Sequence, residues 1–156
     1  MFQAIQRRLQ GKRDEGFTLI ELMVVVLIIS ILIAIAIPTF LGARTRAQDR
    51  AAQSDLRNGV VSVETHYVDT ESYTVTAAQL SAIEPEITFE DGGPVTTGNV
   101  GVYDDAVAGA YVVLVRESAS GTFFCIHKDA STGTSYGSGA NAAAVDTPAE
   151  CAAASW

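Results

Sequence analysis

The distribution of hydrophobic positions divides this chain into two parts. An apolar run of 22 residues without a charged side chain extends from Leu22 to Ala43. As a helix this run would be about 33 Å long, which matches the hydrocarbon core of a bilayer at about 30 Å. A helix that is apolar on every side over this length is typical of a membrane span. The pattern therefore predicts a membrane-inserted helix near the N-terminus.

A secretory signal peptide is the alternative interpretation of this run. Basic residues precede it, and Ala34-Ile35-Ala36 offers a small-residue cleavage site. However, the run is longer than the usual apolar region of about 7–15 residues, and the glutamate Glu21 opens it. These features favour an anchor that keeps its apolar run.

The helical period continues beyond the apolar run. Apolar side chains recur at helical spacing at Leu56, Val60, Val63 and Tyr67. This stripe predicts a helix that reaches about residue 67 and packs against a head domain. Pro38 cannot donate a hydrogen bond to the carbonyl of Ala34, so we expect the helix to kink or loosen there.

The rest of the chain reads as β-structure. The runs "AYVVLVRES" and "TFFCIHKD" flank a turn with Gly121 and predict a hairpin. Glu86–Glu90 and Asn99–Tyr103 are shorter candidate strands, and "VTAAQLSAIEP" resembles a loop with a short helix. After Asp129 the composition shifts to Ser, Thr, Gly and Ala, so this tail has little to bury. The predicted fold class is α+β, with a long N-terminal helix packed on a small antiparallel sheet.

Charge is distributed unevenly along the chain, whose formal net charge is −8. From Asn58 onward there are 13 acidic and two basic residues. Such an acidic head does not favour direct binding of nucleic acid, whose phosphates require Lys and Arg. Basic residues flank the apolar run on both sides in similar number, so the positive-inside rule gives only a weak preference for one orientation. We place the N-terminus inside, and expect Asp49 and Asp55 to pair with arginines along the same helix.

The sequence gives little support for catalysis. No G-x-S-x-G motif occurs, and the single Cys-x-His at Cys125 and His127 does not make a zinc site. His66 is interpreted as a surface or interface residue. The acidic pairs Glu90-Asp91 and Asp104-Asp105 are interpreted as turn and rim residues, with a calcium site as the alternative. We therefore expect no enzyme activity, no catalytic residue, no resident metal and no cofactor.

Glu21 has a simple structural interpretation. Thr18-Leu19-Ile20-Glu21 matches the capping-box pattern, in which a Ser or Thr is followed three residues later by Glu. In an uncleaved anchor, Thr18 would then cap the helix at the water interface. The Glu21 carboxylate would satisfy a backbone N–H there.

The stretch "KRDEGFTLIELMVVVLIISILIAIAIPTF" closely resembles the processing and assembly segment of type IV pilins. This resemblance implies that residues 1–16 are a leader, removed after Gly16 by a prepilin peptidase that also N-methylates Phe17. Glu21 becomes the fifth residue of the mature chain, and Pro38 matches a proline common in pilin helices. The leader of 16 residues is longer than is usual for pilins that begin with Phe, which leaves the subtype open.

The resemblance also implies a mode of assembly. Residues 17–43 would form the transmembrane and polymerisation helix, and residues 44–156 the head. In a helical homopolymer, Glu21 would pair with the ammonium of a neighbour's Phe17, which offsets the desolvation of both charges. The two cysteines, Cys125 and Cys151, bracket the tail, so in an exported head we expect a disulfide between them that ties the tail down. Many pilins close a similar loop near their C-terminus.

The implied function is that of a structural subunit of a surface pilus used in adhesion, motility or DNA uptake. Its partners would be other copies of itself, the prepilin peptidase and methyltransferase, the inner-membrane assembly machinery, and lipid before assembly. It would begin as a single-pass membrane precursor and end in an extracellular filament. Two alternatives remain open: a pseudopilin of a type II secretion or competence system, and a single-pass anchored binding module.

Overall fold

The computed structural model describes residues 16–93, 95–105, 108–153 and 156. It divides into two compact units, Met1–Leu41 and Gly42–Trp156, and each is described by itself. Apart from Gly16, the predicted leader lies outside the described residues.

A single long helix, α1, spans Leu19–Thr70 and continues through Pro38. Within the second unit its predicted stripe faces the core: Leu56 and Val63 are fully buried, while Val60 and Tyr67 are partly buried against the same cluster. The helix and its packing face are thus confirmed. Gly59 belongs to the same face, where Phe89 and Leu114 lie close to the helix backbone.

The head contains one five-stranded sheet in the order β1-β2-β3-β4-β5. The strands are Phe89–Asp91, Val100–Asp104, Tyr111–Glu117, Phe123–Asp129 and Gly133–Gly139. The predicted hairpin is confirmed as β3 and β4, with Val115 opposite Cys125. The sheet is only mostly antiparallel, since β1 pairs in parallel with β2. The short helix predicted before β1 is present as α2, Ala77–Ile83, with a Thr76–Gln79 capping box.

The strand β5 was not predicted. Its sequence, "GTSYGSG", has almost no apolar alternation, yet every residue pairs with β4. The chain then forms a 3₁₀ helix, Ala142–Ala144, and a short helix α3, Pro148–Ala153. The segment predicted as a tail with little to bury is therefore ordered against the sheet.

Two apolar clusters cover opposite faces of the sheet. The first joins α1 and α2 to one face, and includes Leu56, Leu80, Leu114 and Ile126. The second lies on the other face, and joins the sheet to the C-terminal segment through Val113, Val115, Cys125, Val145 and Cys151. In the second unit the sheet is thus a middle layer between α1 and the C-terminal segment.

The predicted ion pairs along α1 are wrong. The Asp49 carboxylate instead accepts hydrogen bonds from the hydroxyls of Ser118 and Ser120, at 2.8 and 2.5 Å. Asp55 pairs with Arg116 of β3 at 2.7 Å. Both acids face the sheet, because they lie on the side of the helix that packs against it. They fasten α1 to the sheet.

The interpretation of the acidic pairs near β1 and β2 as turn or rim residues is confirmed only for Asp105, which follows β2 and whose carboxylate accepts the Ala108 N–H at 3.1 Å. Asp91 and Asp104 lie in strands, and accept hydrogen bonds from the backbone N–H groups of Ala77 and Val75, at 2.5 and 3.1 Å. These two carboxylates hold the connection between α1 and α2 to the sheet. Among the described residues, no group of three or more His, Cys, Asp or Glu side chains could hold a metal ion.

Candidate processing and assembly segment

The peptide bond between Gly16 and Phe17 lies in non-helical backbone. Residues 16–18 have no regular secondary structure, and α1 begins at Leu19. The Phe17 side chain is 90% exposed. A protease needs exposed backbone that is free of a hydrogen-bonded helix, and this bond has both properties.

Thr18 and Glu21 form the predicted capping box. The Thr18 N–H and its hydroxyl both donate to Oε2 of Glu21, at 2.9 and 2.8 Å. The Glu21 N–H donates back to the Thr18 hydroxyl at 3.2 Å. Among the described residues, Oε1 of Glu21 accepts no hydrogen bond, so half of the carboxylate is still available.

The first unit exposes a continuous apolar surface. The most apolar window of 18 residues in α1 has a mean hydropathy of 3.2, and none of it is buried. The hydroxyls of Ser30 and Thr39 are satisfied by the carbonyls of Val26 and Ile35, at 2.7 and 3.1 Å. Glu21 is the single charged side chain between residues 16 and 43. Such a surface requires lipid or other apolar helices around it.

The disulfide between Cys125 and Cys151 is present, with 5.9 Å between the two Cα atoms. Both cysteines are fully buried. The bond ties α3 to β4 across β5, where Gly137 lets the Cys151 carbonyl approach the strand. The expected pairing of Cys125 with Cys151 is confirmed.

The two histidines each have a contact within the head. His66 Nε2 lies 3.2 Å from the Thr74 carbonyl. His127 Nδ1 lies 3.1 Å from the Ser135 hydroxyl, while its Nε2 is buried without a hydrogen-bond partner among the described residues. Burial lowers the pKa of His127, and the nearby Asp129 offsets part of this effect. The neighbouring Cys125 is consumed by the disulfide, so it cannot serve as a thiolate ligand.

A clamp made by Trp156 was missed by sequence reasoning. Its indole N–H donates to the Cys125 carbonyl at 3.2 Å, and its ring meets Phe124 and Tyr136 edge to face. The guanidinium of Arg57 on α1 lies 5.0 Å from the ring centroid. Nothing in the local pattern around residue 156 signals this contact, because its partners lie on distant elements.

Residues 11–37 match the family model of the prokaryotic N-terminal methylation motif. The chain is 44% identical over 72 residues to the type IV wide pilus major component of Thermus thermophilus, covering 46% of this chain and 55% of the relative. It is 40% identical over 62 residues to the type IV major pilin protein of Myxococcus xanthus, covering 40% and 28%.

A second kind of relative is also similar to this chain. The type II secretion system core protein G of Aeromonas hydrophila is 31% identical over 93 residues, covering 54% of this chain and 64% of the relative. The chain thus spans less than two thirds of each of these curated relatives. No solved structure is significantly similar to it.

Proposed function

We propose that this chain is the precursor of a structural subunit of a type IV pilus. The observation that carries the proposal is the position of Gly16 and Phe17 in non-helical backbone just before an exposed apolar helix, with Glu21 in the first turn of that helix. The methylation motif matches at the same residues. The similarity to two type IV pilus proteins supports the filament over a lone anchor.

In the proposed maturation, a prepilin peptidase cuts after Gly16. The cut releases a new amine on Phe17, which is then methylated and remains cationic at neutral pH. Residues 17–43 hold the cleaved subunit in the bilayer until assembly. Residues 44–156 form the head outside the membrane, where an oxidising compartment maintains the disulfide.

Assembly follows from the chemistry of Glu21. A charged group drawn into an apolar bundle needs a partner, because desolvation is costly. Thr18 occupies Oε2 of Glu21, which leaves Oε1 to receive the ammonium of a neighbour's Phe17. Only one stagger between copies neutralises both charges, so the pair sets the register of the filament. The assembly machinery of the inner membrane would move each subunit out of the lipid.

The decisive experiment is N-terminal sequencing and mass spectrometry of filaments sheared from cells. We expect chains that begin at Phe17 and carry one additional methyl group on the amine. Chains that begin at Ile37 would instead support cleavage after Ala36 by signal peptidase. Uncleaved chains confined to the membrane would support the anchored binding module.

A pseudopilin of a type II secretion system is the second candidate. The similarity to the core protein G of Aeromonas hydrophila favours it. Both functions use the same processed segment, so processing does not separate them. Deletion of the gene separates them, since loss of surface filaments indicates a pilin and loss of exported enzymes indicates a pseudopilin.

A further inference from the structure

The head satisfies most of its charged side chains internally. Arg116 pairs with Asp55 and Lys128 pairs with Glu64, both at 2.7 Å. Several other carboxylates accept hydrogen bonds from nearby backbone N–H groups, namely Glu90, Asp91, Asp104 and Asp129. The charged groups left without such contacts are therefore informative.

Three basic side chains remain unpaired on the first turns of α1 in the head. Arg44, Arg46 and Arg50 are exposed, and none forms an ion pair within the described residues. On the acidic side, four carboxylates have neither an ion pair nor a hydrogen bond among the described residues: Asp69, Glu71, Glu84 and Glu86. Asp69 lies on α1 with the arginines, whereas Glu84 and Glu86 lie between α2 and β1, on a different part of the head.

The sheet fixes the height of Glu84 and Glu86 along α1. Strand β2 starts at the level of Asp55, because Val100 is opposite Arg116 and Arg116 pairs with Asp55. It ends beyond α1, where Asp104 binds the Val75 N–H. Strand β2 therefore runs in the same direction as α1.

Strand β1 is parallel to β2, and its first residue, Phe89, is opposite Val100. The residues just before Phe89 accordingly lie toward the end of the head where Arg50 lies. Glu86 precedes Phe89 by three residues and so lies within about 10 Å of it, and a turn in which the Ile87 N–H donates to the Glu84 carbonyl keeps Glu84 close to Glu86. Glu84 and Glu86 are thus close to the level of Arg50 on α1, but at the β1 edge of the sheet.

The proposed register favours these two acids over the pair at the end of α1. Phe17 and Glu21 are four residues apart, so their pairing shifts adjacent copies by only about 6 Å along a helix. Asp69 lies 19 residues beyond Arg50, or roughly 28 Å along α1. A shift of the smaller size keeps Arg50 level with Glu86 of the next copy, but not with Asp69. Ile83, whose side chain is 39% exposed, adds an apolar contact beside the acids.

We propose that Arg46 and Arg50 of one head dock against Glu84 and Glu86 of the adjacent copy in the filament, with Arg44 at the rim. This inference rests on the proposed function, since it names a second contact between pilin copies. Two different patches form a heterologous interface, which is the kind that builds an open helical filament. Opposite charges across such an interface also exclude wrong registers.

Cross-linking between singly labelled chains tests the contact directly. Cells would co-express full-length chains that carry either Arg50→Cys or Glu86→Cys, and sheared filaments would be treated with a short bis-maleimide. We expect covalent dimers in the mixture and none when either chain is expressed alone. In the control mixture, Asp69→Cys replaces Glu86→Cys, and we expect no dimers. Normal filaments without dimers in the first mixture, or equal dimers in the control, would overturn the docking.

Charge reversal tests the energetics. Glu84→Lys with Glu86→Lys, or Arg46→Glu with Arg50→Glu, should reduce the sheared filament fraction by about tenfold or more. Combining all four changes should restore it to within about twofold of wild type. Failure of the combination, together with weaker membrane binding of the arginine variant, would assign the arginines to anionic lipid instead. Failure of the wild-type chain, cut at Phe17, to enter filaments would refute the proposed function itself.

Discussion

Glu21 is the residue at which the two interpretations of the N-terminal segment separate. As a cap it serves its own helix through Thr18, and as a partner it serves the Phe17 of a neighbour. Both roles use the same carboxylate, but only the cap needs the Thr18 hydroxyl. Substitutions at the two positions therefore have different consequences.

We predict that Glu21→Leu leaves cleavage before Phe17 and membrane insertion intact but reduces the sheared filament fraction at least about tenfold. Leucine is easier to insert than a carboxylate, so anchoring should not suffer. Thr18→Ala is the matched control, because it weakens the cap and keeps the carboxylate. It should retain most of the filaments. Equal loss in both variants would identify Glu21 as a cap alone.

His127 gives the head a pH dependence. Its imidazole is 6% exposed, and burial lowers its pKa below that of the unfolded chain. The unfolded chain then binds a proton near pH 6.5 that the folded head does not yet bind. The free energy of unfolding therefore includes the full contribution of neutral His127 above about pH 6.5. This contribution is lost as the pH falls from about 6.5 toward the lower pKa of His127 in the folded head.

We predict that His127→Gln removes this component of the pH dependence. Thermal unfolding of both chains in detergent would be measured from neutral pH into the acid range. The wild type should lose more stability than the variant just below about pH 6.5. Parallel profiles over that interval would show that His127 does not titrate differently on folding. The substitution will also change the stability at every pH, so the quantity to compare is the slope of stability against pH.

At the scale of elements, the hydrophobic pattern predicted those helices and strands whose apolar residues are spaced by the face that they bury. The stripe on α1 and the hairpin of β3 and β4 are regular in sequence because each buries one or both faces. Strand β5 was not predicted, because backbone hydrogen bonds pair it with β4 and such bonds leave no hydrophobic pattern in the sequence. The partners of Asp49 and Asp55 were not predicted either, because they lie in β3 and the turn after it, far from α1 in the sequence.

The candidate site divides in the same way. A local motif was sufficient to predict the capping box of Thr18 and Glu21, whereas Gly16 and Phe17 were singled out by the family resemblance. The disulfide was predicted because Cys125 and Cys151 bracket a tail with little to bury in an exported head, and the family resemblance implies the same loop. Cleavage, methylation and the pairing of Glu21 between copies remain predictions, since they concern an enzyme and a neighbouring subunit.

Gly137 allows the close packing of α3 against β5, and a substitution there tests that contact. A Cβ at this position would overlap the Cys151 carbonyl oxygen and would lie 2.9 Å from the Cys125 sulfur. We predict that Gly137→Ala lowers the free energy of unfolding by about 1–3 kcal/mol or more and slows disulfide formation. Ser138→Ala, the next position on β5, should change stability little. The readouts are thermal unfolding and the fraction of oxidised cysteines.

At the scale of the whole molecule, the head has two apolar clusters, and only one of them contains the disulfide. The cluster between α1 and the sheet contains large buried side chains such as Leu56, Leu80 and Ile126. The cluster beneath the C-terminal segment is smaller, and the disulfide forms part of it. The two faces should therefore respond differently when the covalent bond is removed.

We predict that Cys125→Ala with Cys151→Ala releases the C-terminal segment while the sheet stays packed on α1. The bond closes a loop with a sequence separation of 26. A loop of that size stabilises by about 3 kcal/mol in the chain-entropy model. Hydrogen exchange and limited proteolysis of the full chain should show new cleavage after residue 139, with protection retained in β3. The wild type in detergent without reductant is the control. Loss of protection throughout the head would mean that both faces fold as one cooperative unit, and that the disulfide supports the surface displayed by the filament as well as its own loop.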